Sequence, residues 1–383
     1  MLRIGKGIWV ALTLALLIGL PFAGSTLSAP GSASSDPRIA RFGIGVTEEW
    51  GYTITDYNLD LLRIRNVFPF GWYSNWWMNV NPPRPHGMEY AQLIWVRRGY
   101  YPPDARQWER VIRNNPGSLW IIGNEPECPY QANITPTRYA EIYHDAYWFI
   151  KRRDPTAKVA IGGVVQPSRL RLKWLDQVLI KYQELYTNTM PVDVWNIHNQ
   201  ILNEELGGWG AGIPAGLTET VGITITIPEN ASLDLFKKHV RDLRVWMKNH
   251  GLRDKPAIIS EYGVLLPSEM LVQDNKPAGD QLVIDFMQGT FDFLLNATDP
   301  EIGCPSDDYR LIQRWLWYSL NEPPYDPGTG RGFNGSLFVH NQPNTLTIFG
   351  GAFRAYARSL YRLKVNLPLV LKLFPSVNSE PRR

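Results

Sequence analysis

Two acids stand out for the company they keep. Glu125 closes the apolar run LWIIGN in LWIIGNEP, and Glu261 follows AIIS in PAIISEYG. Each comes after residues that would bury it, and a buried carboxylate is costly unless hydrogen-bonded or paired, while burial raises its pKa. Two carboxyl groups at the open end of one barrel can therefore divide into a neutral acid and a carboxylate. Cleavage of a glycosidic bond needs that division: one group protonates the leaving oxygen, and the other attacks the anomeric carbon or activates water. Pro126 biases the residue before it toward extended backbone, which would hold Glu125 in line with its strand. Asn-Glu-Pro recurs in WYSLNEPP, where Glu322 follows another apolar run. Strand order favours Glu125, because the ends of the fourth and seventh strands face each other across a barrel mouth while the seventh and eighth adjoin.

Such a placement asks for a parallel barrel, and the order of elements supplies one. Eight β-rich runs succeed one another: RFGIGVT, LLRIRNVF, AQLIWVRR, SLWIIGN, AKVAIGGVV, VDVWNIH, PAIISEYG and LIQRWLWYSL. They are mostly apolar on both faces, the mark of parallel strands covered by helices. Thr135 and Pro136 open a helix carrying Tyr139, Ile142, Tyr143, Ala146, Phe149 and Ile150 at helical spacing. Ser232 caps another, with Phe236, Val240, Leu243 and Met247 on one face and Gly251 at its stop. Further helical patterns cover residues 105–114, 169–186, 280–295 and 350–363. The expected fold is α/β, a (β/α)8 TIM barrel forming a single domain over residues 34–365 with long top-face loops, followed by a C-terminal tail over 366–383. Residues 68–89, rich in Trp, Asn and Pro, read as one of those loops, and residues 202–230 as another that holds a small hairpin.

The chain has 383 residues, and residues 1–33 stand apart from the fold. Arg3 and Lys6 precede an apolar run from Ile8 to Leu20 and then small residues, the order of a secretory signal peptide. Gly31 and Ala33 suit cleavage, as do Ala23 and Ser25; an uncleaved anchor is the rival reading, against which the short apolar core argues. Secretion or display at the cell surface is expected either way. Without that segment a formal charge of +3 falls to +1, since Arg3 and Lys6 leave with no acid. No electrostatic case for nucleic acid remains, and no stable membrane partner is expected unless the segment stays attached. Cys128 and Cys304 are the only cysteines, and the sequence leaves their pairing open. With no HExxH, no CxxC and no calcium loop, neither metal nor cofactor is expected. Sequons stand at Asn133, Asn230, Asn296 and Asn334.

GNEP at the fourth strand and SEYG at the seventh resemble the acid/base and nucleophile positions of the clan of retaining (β/α)8 glycoside hydrolases. With FGWYSNWW over residues 70–77, GNEPE is similar to the "glycosyl hydrolase catalytic core" family, which includes endo-β-1,3-glucanases. The resemblance covers most of residues 41–360, and its specificity lies in the two acid motifs. It implies Glu125 as general acid/base, Glu261 as nucleophile and Asn124 as the hydrogen-bond partner of the hydroxyl beside the anomeric carbon. It further implies that His198 lines the catalytic subsite and Trp317 floors it. Where the clan has a tyrosine two residues after that histidine, this chain has Gln200. That departure leaves the orientation of Glu261 open, with Tyr262 as an alternative source of a phenol.

Bland readings stand beside these. Glu125 could satisfy backbone N–H groups at a loop start, and Glu261 could pair with Arg63 or Arg65. Arg65 could equally hold a nucleophile ionised, with Arg63 outward, or the reverse by alternation. Trp72, Tyr73, Trp76 and Trp77 read as sugar platforms or as the packed base of a loop, and Asn75 as a sugar contact or a turn cap. Trp315 and Trp317 share a strand face, and one of them is expected in the core. The expected function is a secreted glycoside hydrolase that cleaves a β-linked poly- or oligosaccharide with retention; β-1,3-glucan is suggested by the resemblance alone. Two alternatives are a non-catalytic carbohydrate-binding protein on the same fold and a transglycosylase.

Overall fold

The structure, a computed structural model, describes residues 38–48, 51–64 and 67–372. Its strands are β1 (Phe42–Gly45), β2 (Trp72–Ser74), β3 (in two runs, Glu89–Tyr90 and Gln92–Ile94), β4 (Leu119–Asn124), β5 (Lys158–Gly163), β6 (Trp195–His198), β7 (Ala257–Tyr262) and β8 (Arg314–Trp317). All pair in parallel, and β8 returns to β1, with Gly43 opposite Leu316. The first run of β3 pairs with β2 and the second with β4, while parallel bridges Ala160–Val194 and Val164–Ile197 join β5 to β6. The ring of eight strands is thereby closed, as the β/α alternation of the sequence led one to expect.

Helices α1 (Ala105–Asn114), α2 (Pro136–Lys151), α3 (Arg169–Tyr186), α4 (Leu233–Asn249), α5 (Ser268–Leu271), α6 (Lys276–Asn296) and α7 (Ile348–Lys372) cover the outside from β3 onward. Asp104, Ser168 and Ser232 each accept a backbone N–H as the N-caps of α1, α3 and α4. Two layers of core result. Trp72, Leu93, Ile121, Ala160, Ile258 and Leu316 fill the inside of the barrel, while Ile44, Tyr73, Ile122, Ile161, Ile197, Ile259 and Trp317 pack outward against the helices. No helix among the described residues is long and apolar enough to cross a membrane.

The second strand corrects the sequence reading. LLRIRNVF, residues 61–68, starts within a 3₁₀ turn at Leu59–Leu62, and Ile64 bridges Val67 in antiparallel fashion. Leu59 and Leu62, three apart and both buried, suit a helical turn better than a strand face. The strand lies instead inside the expected loop, at Trp72–Ser74. Three residues are too few to carry a periodic signal, and both faces of this strand are buried.

Cys128 and Cys304 are buried and unpaired; their thiols donate to the carbonyls of Ala211 and Asp254. Asn230 cannot serve as a glycan acceptor while folded, because its buried Nδ2 donates to the carbonyls of Gln200 and Ile201. Residues 1–33, with the expected signal segment, and Arg65 lie outside the described residues.

Candidate active site

Inward-facing positions on β4 alternate through Ile121 and Gly123 to Glu125, just past the strand's end. Glu125 does not continue the strand as Pro126 suggested: its φ is 43°, in the left-handed region. Its N–H donates to the carbonyl of Gly163 and its carbonyl accepts from the N–H of Cys128, so the chain turns sharply at the acid. A strained non-glycine residue held from both sides is a feature that clusters at functional positions.

On β7 simple alternation from Ile258 would turn Glu261 outward with Ile259. The pairing prevents this. Ile197 and His198 of β6 lie opposite Ile259 and Glu261, and Trp315 and Trp317 of β8 lie opposite Ile259 and Tyr262, so β7 carries one extra residue at Ser260–Glu261. This bulge rotates Glu261 to the barrel mouth and sends Tyr262 into the outer core.

His198 closes the gap between the acids. Its Nδ1 lies 2.9 Å from Glu125 Oε1 and 3.9 Å from Glu261 Oε2, with the ring buried. Gly163 makes room for it, since a Cβ there would stand 2.4 Å from His198 Cδ2. Burial favours the neutral ring, but the charges of Glu261 and Glu125 outweigh it and raise the His198 pKa. Glu261 is pushed up to about 7, first by burial and then by Glu125, against the attraction of His198. Its two oxygens each accept one neutral donor: Trp76 Nε1 on Oε2 and Gln200 Nε2 on Oε1, both at 2.8 Å. Gln200 is itself fixed by Asn230, which bonds its carbonyl.

The ligand atoms of Glu125, His198 and Glu261 lie within 4.8 Å of one another, a spacing that would suit a cation. The donor set is already bonded to itself, however: His198 Nδ1 holds Glu125, and both Glu261 oxygens are taken. Such an arrangement fits proton transfer and attack at a carbon better than coordination.

Residues 53–209 match the family described as "Glycosyl hydrolase catalytic core". Over that stretch the chain is similar to a glycoside hydrolase core. Solved structures agree on the fold. A GH128 (subgroup II) endo-β-1,3-glucanase from Sorangium cellulosum superposes with a TM-score of 0.51 at 16% identity, covering 82% of this chain and 98% of that one. A second such enzyme, from Pseudomonas viridiflava, gives 0.52 at 14% identity over 82% and 97%. A GH128 (subgroup I) endo-β-1,3-glucanase from Amycolatopsis mediterranei, in complex with laminaritriose, gives 0.50 at 16% over 83% and 99%. No curated protein sequence matches the chain.

The structure brings Glu125, Glu261, His198 and Gln200 to one place, with Asn124 next to Glu125 in sequence. Asn124 is buried, and its Oδ1 has no partner among the described residues. Other expected site residues are elsewhere. Trp317 is fully buried against Tyr262 and Phe291, its Nε1 bound to the carbonyl of Gly335, so it floors no subsite. Trp315 is core as well. Tyr262 donates no phenol to Glu261; its hydroxyl meets Thr290 in the outer layer. Trp72 fills the barrel interior and Tyr73 the outer layer, where its hydroxyl bonds the carbonyl of Pro83. Asn75 takes the turn-capping alternative: its Oδ1 accepts from Trp77 N–H and the Tyr90 hydroxyl. Arg63 pairs with Asp60, so it offers Glu261 nothing.

Trp76 is the tryptophan of FGWYSNWW that reaches the reacting acids. Its φ of 63° and the bare Cα of Gly45 beneath it, where a Cβ would lie 2.7 Å from the indole, place the ring at the mouth. Neither feature has a sequence signal beyond the glycine. Tyr318 packs edge-on against Trp76 at 5.5 Å. Glu322, from the second Asn-Glu-Pro, accepts the Thr47 hydroxyl, and its charge adds to the rise at Glu261.

Proposed function

We propose that the chain is an exported β-1,3-glucan hydrolase that acts within the polymer by a retaining double displacement. The observation that carries the mechanism is the separation of the acids. Ligand oxygens of Glu125 and Glu261 within 4.8 Å of each other fit a nucleophile and acid pair about 5–5.5 Å apart, and leave no room for the water of an inverting site at about 6.5–9.5 Å. The likeness to GH128 endo-β-1,3-glucanases supports the substrate class, and the Arg3/Lys6 and apolar leader supports export.

In this reading a Glu261 oxygen attacks the anomeric carbon while the bond to the leaving sugar breaks, and that sugar's oxygen takes a proton from Glu125. Water then gives a proton to Glu125 and attacks the same carbon, releasing Glu261. The resting cluster holds the proton needed. His198 Nδ1 donates to Glu125 Oε1, so passing that proton along a 2.9 Å bond arms Glu125 and leaves Glu261 ionised between Trp76 and Gln200. Asn124, next in sequence to Glu125 and with its Oδ1 unpartnered among the described residues, would in this reading bond the hydroxyl beside the reacting carbon, a contact worth most in the transition state.

Residues 34–383 are tested on a panel of β-glucans and mannans, with the anomer released first read by NMR. Cleavage of β-1,3-glucan to the β-anomer, lost in Glu125→Ala and Glu261→Ala, is expected. First release of the α-anomer would overturn retention, and binding of glycan without turnover would make the protein a lectin-like binder.

A further inference from the structure

A cavity of about 340 Å³ opens between the loop that follows β7 and the loop that follows β8, on the face of the barrel that bears the acids. Its volume is in the range of small-ligand sites. Phe333 and Tyr325 line it, 41% and 39% exposed, so both offer ring surface to a ligand. Asn334 joins the two walls: its Nδ2 donates to the Leu266 carbonyl and the Ser268 hydroxyl, so the cavity stands open before any ligand arrives.

The cavity is linked to the reacting centre by a chain of edge-on rings. Phe333 meets Tyr318 edge-on at 5.9 Å, Tyr318 meets Trp76 at 5.5 Å, and Trp76 donates to Glu261. Glu322 lines the cavity and is felt electrostatically by Glu261.

We propose that this cavity is a subsite for sugar units of the same glycan chain, beyond the unit being cleaved. The inference rests on the hydrolase reading above. Its chemistry selects a neutral polyol. Apolar ring faces suit the C–H face of a pyranose, and carboxylates and an amide suit its hydroxyls. Glu269, Asp280 and Glu322 outnumber Lys276, which already pairs with Asp280, so phosphorylated or acidic ligands are repelled.

The test compares wild type, Phe333→Ala, Phe333→Tyr and Tyr325→Ala on β-1,3-linked glucose oligomers of rising length. Calorimetry of the same oligomers on Glu261→Gln, with and without Phe333→Ala, runs beside it. Losing one ring contact is expected to cut the gain in kcat/KM from lengthening the oligomer by about tenfold in Phe333→Ala, with Phe333→Tyr restoring it. The affinity of long oligomers for Glu261→Gln should fall by a similar factor. A loss equal at every length, or an affinity that Phe333→Ala leaves unmoved, would overturn the subsite. Should wild type cleave none of these oligomers, the proposed activity falls, and calorimetry extended to β-1,4-linked glucose and mannose oligomers still decides the cavity. Absence of binding, or binding indifferent to both ring truncations, would then refute it.

Discussion

Replacing Glu261 with glutamine should reshape the pH dependence of stability in a direction fixed by the site. Glu261 titrates near 7 in the folded chain against an ordinary 4.5, and its side chain is only 13% exposed, so solvent screening takes little from that difference. Below about pH 4.5 the acid is protonated whether folded or unfolded, and its contribution is fully present. As pH rises toward 7 the folded state keeps a proton that the unfolded state has released, and stability falls by about 3 kcal/mol through that window. Glu261→Gln removes this slope. It also removes the largest attraction that keeps His198 protonated, which acts in the same sense. The variant carries a separate cost, because its amide NH₂ must face either the Trp76 or the Gln200 donor, about 1–3 kcal/mol at every pH. That offset cancels when each protein is compared with itself. Urea unfolding at pH 5 and pH 8 should therefore show wild type losing about 3 kcal/mol more than Glu261→Gln between the two conditions. Parallel losses would refute the claim that Glu261 is held near neutrality by burial and by Glu125.

Other consequences are equally open to measurement. Because Glu261 must be ionised to attack, kcat/KM should fall below about pH 7, and Gln200→Leu, which removes one donor, should move that acid limb up by about one pH unit; an unmoved limb would deny Gln200 its role. Gly163→Ala drives a Cβ into the His198 ring and should lower kcat/KM at least about tenfold with the fold retained by circular dichroism, whereas full activity would show the ring free to shift. Trp72→Ala empties the barrel interior and should cost about 3–5 kcal/mol in urea unfolding, against under about 1 kcal/mol if Trp72 were a surface platform. Arg171 is buried between Glu127 and Glu204; Arg171→Met strands both acids and should destabilise by about 3–5 kcal/mol, with the loss shrinking toward acid pH.

Much of the barrel was legible because most later strands are apolar runs followed by a marked helix start, as at Leu119–Asn124 followed by Pro136 in the first turn of α2. The first two units lack such helices. There the apolar run LLRIRNVF mimics a strand although it starts within a 3₁₀ turn, while β2 hides among aromatic residues that read as a loop. The acid pair was legible for the same reason as its strands. Its surroundings were not, because they depend on register. A bulge of one residue on β7 decides that Glu261 faces the mouth and Tyr262 the core, and no sequence pattern distinguishes this from plain alternation.

That register also explains how, among the described residues, the site holds its nucleophile without an arginine or lysine beside it. Tyr262 points away and Arg63 is engaged with Asp60, so Glu261 is held by an indole N–H and an amide N–H, with the His198 ring 3.9 Å away. A guanidinium in that place would fix Glu261 as a carboxylate and pull its pKa far down. Neutral donors orient both oxygens while leaving the proton balance of the cluster near neutrality, where His198 can pass a single proton between the resting site and Glu125. The left-handed turn at Glu125, the bare Cα at Gly163 and the extra residue on β7 each give up local stability. Together they bring His198 to 2.9 Å from Glu125 and 3.9 Å from Glu261, close enough for the three groups to share one proton balance.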